Sequence, residues 1–195
     1  MIKAKILGKV KYFALEKAEK GDAFHNGEHI RRTVSLAKYL AKREGANLDV
    51  CIIAAWLHDI AQPLDEENHA LLGEKMAEEF LSKEGFEKEF IEQIKHCIHC
   101  HETKTIKEAQ TIEAKVIYDA DKLHVLGPWG FIRSFSSFLT TKNKEYREAL
   151  LKVEKSQKDR FENYLQTATA KKLIRMDHKL MVRFFERYDK FEKKW

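Results

Sequence analysis

Eight of the nine histidines in this 195-residue chain fall between positions 25 and 124, and only His178 lies in the C-terminal third. Histidines that merely decorate a surface have no reason to crowd in this way. Imidazole and carboxylate together suit Mn, Fe, Zn, Ni or Co, and carboxylate alone suits Mg, so the clustering points to a divalent-metal centre. Its sharpest element is His58-Asp59, adjacent residues at the end of the apolar run 50–57. Neighbouring side chains on a helix diverge by about 100°, so both reach one ion only where it sits beside the helix terminus. The approach to Pro63 supplies the turn that ends the helix there. A buried apolar helix in front of the pair would hold it rigidly, as a metal site requires. His29 lies upstream, and Asp119 and Asp121 lie downstream. Those two carboxylates, two residues apart, would face different directions on a helix, so one of them points inward.

The run His96-Cys97-Ile98-His99-Cys100-His101 invites a zinc reading. A lone Cys-x-x-Cys without a second pair is weak evidence for structural zinc, and the thiols read better as core residues. Three cysteines make no disulfide framework, which fits a reducing cytoplasm.

The elements that must carry these residues are helical. Two prolines and eight glycines are sparse punctuation for a loop-rich or all-β fold, and helix formers dominate. After Asn26-Gly27, the residues Ile30, Val34, Ala37 and Ala41 trace one helix face that Gly45 closes. Asp49 reads as the N-cap of the buried run 50–57. Amphipathic segments follow at about 67–83, 87–100 and 111–125, and Pro128 suits the first turn of a further helix. The last third predicts two long helices. Tyr146, Leu150, Val153, Phe161 and Tyr164 stripe the first, and Met176, Leu180, Phe184 and Tyr188 stripe the second.

The order His, His-Asp, Asp resembles the HD-domain superfamily of metal-dependent phosphohydrolases, over roughly 25–135. His29-Ile30-Arg31-Arg32-Thr33-Val34 is similar to the family's first-ligand helix, and Ala55-Trp56-Leu57-His58-Asp59-Ile60 to its namesake motif. Tyr118-Asp119-Ala120-Asp121-Lys122-Leu123 is similar to the segment that provides the last aspartate. His69-Ala70-Leu71-Leu72-Gly73 and Gly130-Phe131-Ile132-Arg133-Ser134-Phe135 have counterparts in small stand-alone HD hydrolases. Each motif is weak by itself; together, in this order, they are specific.

The resemblance implies an all-α, single-domain HD-type helical bundle over 1–195, with a motif-bearing core at about 25–135 and C-terminal helices at about 143–193 packed on it. It implies a divalent metal (Mn, Co, Ni, Mg, Fe or Zn) held by His29, His58, Asp59 and Asp121, and it prefers Asp121 to Asp119 as the ligand. The expected function is hydrolysis of a nucleotide or related phosphate ester by metal-activated water. Lys122 and Arg133 would meet phosphoryl oxygens, and His69 and His101 would act as extra metal ligands or proton donors. His25 stands beside the first-ligand helix as a substrate contact or a cap. His124 replaces an aspartate common in relatives. Gln62 replaces a carboxylate found in some nucleotidases, which leaves Asp65, Glu66 or activated water alone as the base. Two other functions share the fold: a di-iron oxygenase using both His69 and His101, and a non-catalytic nucleotide- or RNA-binding module.

Opposite charges interleave along the chain and leave a formal net of +5, which is no basic footprint for nucleic acid but suits an anionic small molecule. The start lacks the apolar run of a signal peptide, and 50–57 is too short to cross a bilayer. A cytoplasmic enzyme acting on a phosphorylated small molecule, with no membrane partner, is the expectation.

Overall fold

The structure, a computed structural model, describes residues 3–21, 24–192 and 194. Among them are nine α-helices and no strand, as the all-α expectation requires. The chain divides into two compact units, Met1–Asp121 and Lys122–Trp195.

The first unit carries α1 (Ala4–Ala18), α2 (Gly27–Glu44), α3 (Leu48–Leu57), α4 (His69–Lys83), α5 (Lys88–His99) and all but the last residue of α6 (Ile112–Lys122). Asn26 caps α2, its Oδ1 accepting from the backbone N–H groups of Glu28 at 3.0 Å and His29 at 3.2 Å. Gly45 ends that helix in the left-handed region at φ 70°, where a side chain would be strained. In α3 the cap is Asn47, whose Oδ1 accepts from Asp49 N–H at 3.1 Å and Val50 N–H at 3.3 Å. The expected cap, Asp49, lies instead in the first turn, where its charge opposes the helix dipole.

Helix α3 is the centre of this unit. Val50, Cys51, Ile53, Ala54, Ala55, Trp56 and Leu57 are all buried, so the helix is apolar around its whole circumference. It packs against α1, α2 and α5. Each large aliphatic side chain enclosed there contributes roughly 1.5–3 kcal/mol. Helices α4 and α5 pair with each other, Gly73 of α4 facing Ile98 of α5.

The second unit holds a 3₁₀ turn (Leu123–Val125), α7 (Gly127–Thr140), α8 (Tyr146–Asp159) running into a π turn (Arg160–Tyr164), and α9 (Ala168–Glu192). Pro128 sits in the first turn of α7 as its fixed φ suggests. The side-chain amide of the buried Gln157 closes on Gly127, donating to its carbonyl and accepting from its N–H, both at 3.1 Å.

The core of this unit is Leu150, Val153, Met181 and Phe185, with Phe131, Phe135, Phe138 and Tyr188 packed against it. The stripes expected here are only partly the buried ones. Leu150 and Val153 are enclosed, but Tyr146 is exposed and Phe161 and Tyr164 are half-buried. On α9 the enclosed face is shifted by one residue to Met181 and Phe185, while Met176, Leu180 and Phe184 face solvent. Helix α9 carries two apolar faces, and periodicity alone does not tell which of them packs. Among the described residues, no helix is long and apolar enough to cross a membrane.

Candidate metal centre

Five helix ends and turns of the first unit deliver its chemistry-bearing side chains to one place. His29 stands in the capped first turn of α2. His58 is the C-cap of α3, and Asp59 follows in the turn after it. His69 opens α4, His101 lies just past the end of α5, and Asp121 sits near the end of α6.

The side chains meet in two groups of three, each set of ligand atoms lying within 4.8 Å of one another: His29, His58 and Asp121, and then Asp59, His69 and His101. His29 Nε2 lies 3.2 Å from His58 Nε2 and 3.3 Å from Asp121 Oδ1. Asp59 joins the groups. Its Oδ2 is 3.2 Å from both His29 Nε2 and His58 Nε2, while its Oδ1 is 3.3 Å from His101 Nε2 and 3.7 Å from His69 Nε2. The two outer histidines approach to 3.0 Å through their Nε2 atoms.

Three of these imidazoles are oriented by the same device. His58 Nδ1–H donates to the Ala55 carbonyl at 3.0 Å and His69 Nδ1–H to the Glu66 carbonyl at 2.8 Å. His101 Nδ1–H donates likewise to the Ile98 carbonyl. A proton held on Nδ1 leaves the Nε2 lone pair for a cation, and the backbone partner fixes the ring plane.

All of these groups except half-buried His69 are buried. Burial by itself lowers the pKa of His29, but hydrogen bonds to Asp121 and Asp59 and their charges outweigh it and raise the value to about 9. Burial pushes Asp59 up, yet His58, His101 and His29 together hold its carboxyl well below the usual range. A buried carboxylate held in its ionised form among imidazoles, as Asp59 is, requires compensating positive charge. The donor set of neutral nitrogens and carboxylate oxygens fits a borderline divalent cation in each group.

The remaining predicted residues fall in different places. Lys122 directly follows Asp121 and closes α6, and Arg133 lies half-buried on α7; both belong to the second unit. Asp119 is fully buried but is not in either group of three. Asp65 is committed to its own turn, accepting from the backbone N–H groups of Glu67 and Asn68 and from Asn68 Nδ2. Of the run 96–101, only His101 joins one of the two groups. His99 is held between Glu74 and Glu108, 2.9 Å from each, and His96 Nε2 accepts from Gln110 N–H. Cys97 and Cys100 are buried thiols, and among the described residues neither joins a metal-binding group.

Residue spacing does not reveal that Asp59 faces both groups, nor that Gln62 touches His25. The carbonyl partners three residues before His58, His69 and His101 carry no side-chain signal at all.

The family model described as the HD domain matches residues 26–126, more than half of the chain. The protein YpgQ of Bacillus subtilis is 27% identical over 177 residues, covering 85% of this chain and 83% of YpgQ. Among solved structures, a predicted HD superfamily hydrolase from an uncultured Thermotogales bacterium aligns with a TM-score of 0.68 at 25% identity, covering 93% of this chain and 90% of that one. A structure of YpgQ in complex with ADP aligns at 0.73 with 23% identity, covering 95% and 94%, and supports the shared fold. By its motifs, its helical architecture and this match, the chain belongs to the HD domain family and stands with the small HD superfamily hydrolases.

Proposed function

We propose that this protein is a metal-dependent phosphohydrolase acting on a nucleotide or related phosphate ester. One divalent cation would be held by His29, His58, Asp59 Oδ2 and Asp121, and a second by Asp59 Oδ1, His69 and His101. The observation that carries this reading is the split approach to Asp59, with histidine Nε2 atoms at 3.2–3.7 Å from its two oxygens. When bound, such cations lower the pKa of water and polarise a phosphoryl oxygen. The chain's own residues do the rest. Backbone carbonyls hold His58, His69 and His101 in the tautomer that presents Nε2. Asp59 and Asp121 supply the negative charge that draws cations into a buried site. Lys122, next to Asp121 at the end of α6, would offset charge developing on the phosphoryl oxygens. The ADP bound by YpgQ supports a nucleotide as the ligand, and the formal net charge of +5 favours an anionic one.

The test is to load the purified protein with Mn, Co, Ni or Mg and screen nucleotides and generic phosphate esters for release of phosphate or pyrophosphate. Asp59→Ala is expected to lose both metal and turnover; full retention of both would overturn the assignment. The same two groups also accommodate a pair of irons, which keeps the oxygenase reading as the rival. Two irons per chain after anaerobic purification, with an iron-dependent absorption band and no phosphate release with Mn or Mg, would decide for it.

A further inference from the structure

His25 belongs to neither group of three, yet it stands against the centre. Its ring centroid is 5.9 Å from that of His29, edge to face at 78°. Its orientation comes from Gln62, whose Nε2–H donates to His25 Nδ1 at 3.3 Å. Gln62 is only 8% exposed, and its backbone N–H donates to the Asp59 carbonyl at 3.1 Å. The turn that aims the Asp59 carboxylate therefore also aims the amide that aims His25.

The backbone of His25 is constrained from both sides. A Cβ at Gly21 would lie 2.1 Å from the His25 carbonyl oxygen, so only glycine lets that carbonyl seat there. On the other side Asn26 is locked as the cap of α2. An imidazole whose Nδ1 accepts a hydrogen bond carries its proton on Nε2. His25 is thus a fixed hydrogen-bond donor beside the candidate cation sites, with a buried amide selecting which nitrogen donates.

We infer that His25 is a substrate-binding residue that donates Nε2–H to a phosphoryl oxygen of a nucleotide or phosphate ester held at this centre, with Gln62 as its positioning residue. The inference rests on the phosphohydrolase reading above. It gives the buried amide of Gln62 a purpose beside the centre. A carboxylate accepts only and would reverse the polarity of the contact, whereas the amide donates.

The experiment compares wild type, His25→Gln, Gln62→Leu and the double variant. Each is Mg-loaded and titrated calorimetrically with an α,β-imido nucleoside triphosphate. Metal content and thermal midpoint are measured on the same samples, and side-chain ¹⁵N shifts of His25 report its tautomer. We expect the Nε2–H tautomer in wild type and wild-type metal content in both single variants. Analogue affinity should fall about tenfold in each, the size of one lost hydrogen bond to a charged group. Gln62→Leu should add nothing in the His25→Gln background, which a merely structural Gln62 would not produce.

If wild type binds or cleaves nucleotides and the single variants bind the analogue equally well, the role of His25 is overturned while the hydrolase reading stands. Additive losses in the double variant overturn the positioning role of Gln62. If wild type neither binds the analogue nor cleaves any phosphate compound, the hydrolase reading falls and this inference falls with it.

Discussion

Asp59 offers His101 one carboxylate oxygen, Oδ1, at 3.3 Å, and keeps the other turned to His29 and His58. Removing His101 should therefore empty only one group, whereas removing Asp59 should disable both. Metal analysis after loading is expected to show fewer ions per chain in His101→Ala than in wild type, and the fewest in Asp59→Ala. Activity in Asp59→Ala should fall by more than the roughly 10–100-fold typical of losing an outer partner of a ligand. Equal metal content in the two variants would contradict the shared role of Asp59.

A cation bound as proposed would compete with the proton on His29. In the metal-free protein its pKa stands at about 9, above the ordinary value of 6.5. A raised pKa means that its contribution to stability is full below about 6.5 and fades as pH rises through about 9. Asp59, held low, contributes above the usual carboxylate range, and its share is lost in acid as pH falls through its depressed pKa. The metal-free protein should therefore melt at lower temperature at pH 10 than at pH 6. Metal uptake at pH 7 should release protons, and apparent affinity should climb with pH up to about 9. Calorimetry in two buffers of different ionisation enthalpy checks the proton release. A buffer-independent heat at pH 7 would refute it.

Asn47, not Asp49, accepts the first backbone N–H groups of α3. Asn47→Ala is expected to cost about 0.5–2 kcal/mol in urea unfolding. Asp49→Ala leaves the Asn47 cap in place and should cost less, its charge in the first turn being worth about 0.3–1 kcal/mol. The opposite ranking would return the cap to Asp49.

Two glycines should respond with opposite sign. A Cβ on Gly8, on the exposed side of α1, would meet nothing within 4 Å, so Gly8→Ala should stabilise the protein by about 0.5–1 kcal/mol. A Cβ on Gly130 would lie 2.1 Å from the backbone carbon of Val125, so Gly130→Ala should destabilise strongly and shift the 3₁₀ turn before α7. Chemical denaturation of both variants reads the contrast directly.

How much of this was legible in the residues depends on which force places them. His29, His58, Asp59 and Asp121 stood out because few side-chain types ligate metals, and the structure brings them together. The caps were half legible. Asn26 before Gly27 opened α2 as expected, but Asn47 and Asp49 are both good cap residues, and only the backbone path chooses between them. The α9 face was misread because Leu173, Met176, Leu180, Phe184 and Phe191 form an apolar stripe as regular as the enclosed one. Which stripe packs is set by α7 and α8, through Phe131, Leu150 and Val153, and by nothing within α9. The divided attention of Asp59 was invisible for a similar reason. A carboxylate has two oxygens, and spacing along the chain says nothing of where each one points.

Helix α3 is enclosed on every side and ends in His58, which is itself wholly buried. The pair His58-Asp59 is therefore rooted in the part of the first unit that opens last, and α3 amides should be among the slowest there to exchange with solvent. A cation leaving the centre cannot carry these two ligands with it; His69, less enclosed at the start of α4, is the side chain with room to swing away. With cations bound as proposed, exchange would begin at the outer group and reach the inner one second, so the two sites would turn over on different clocks.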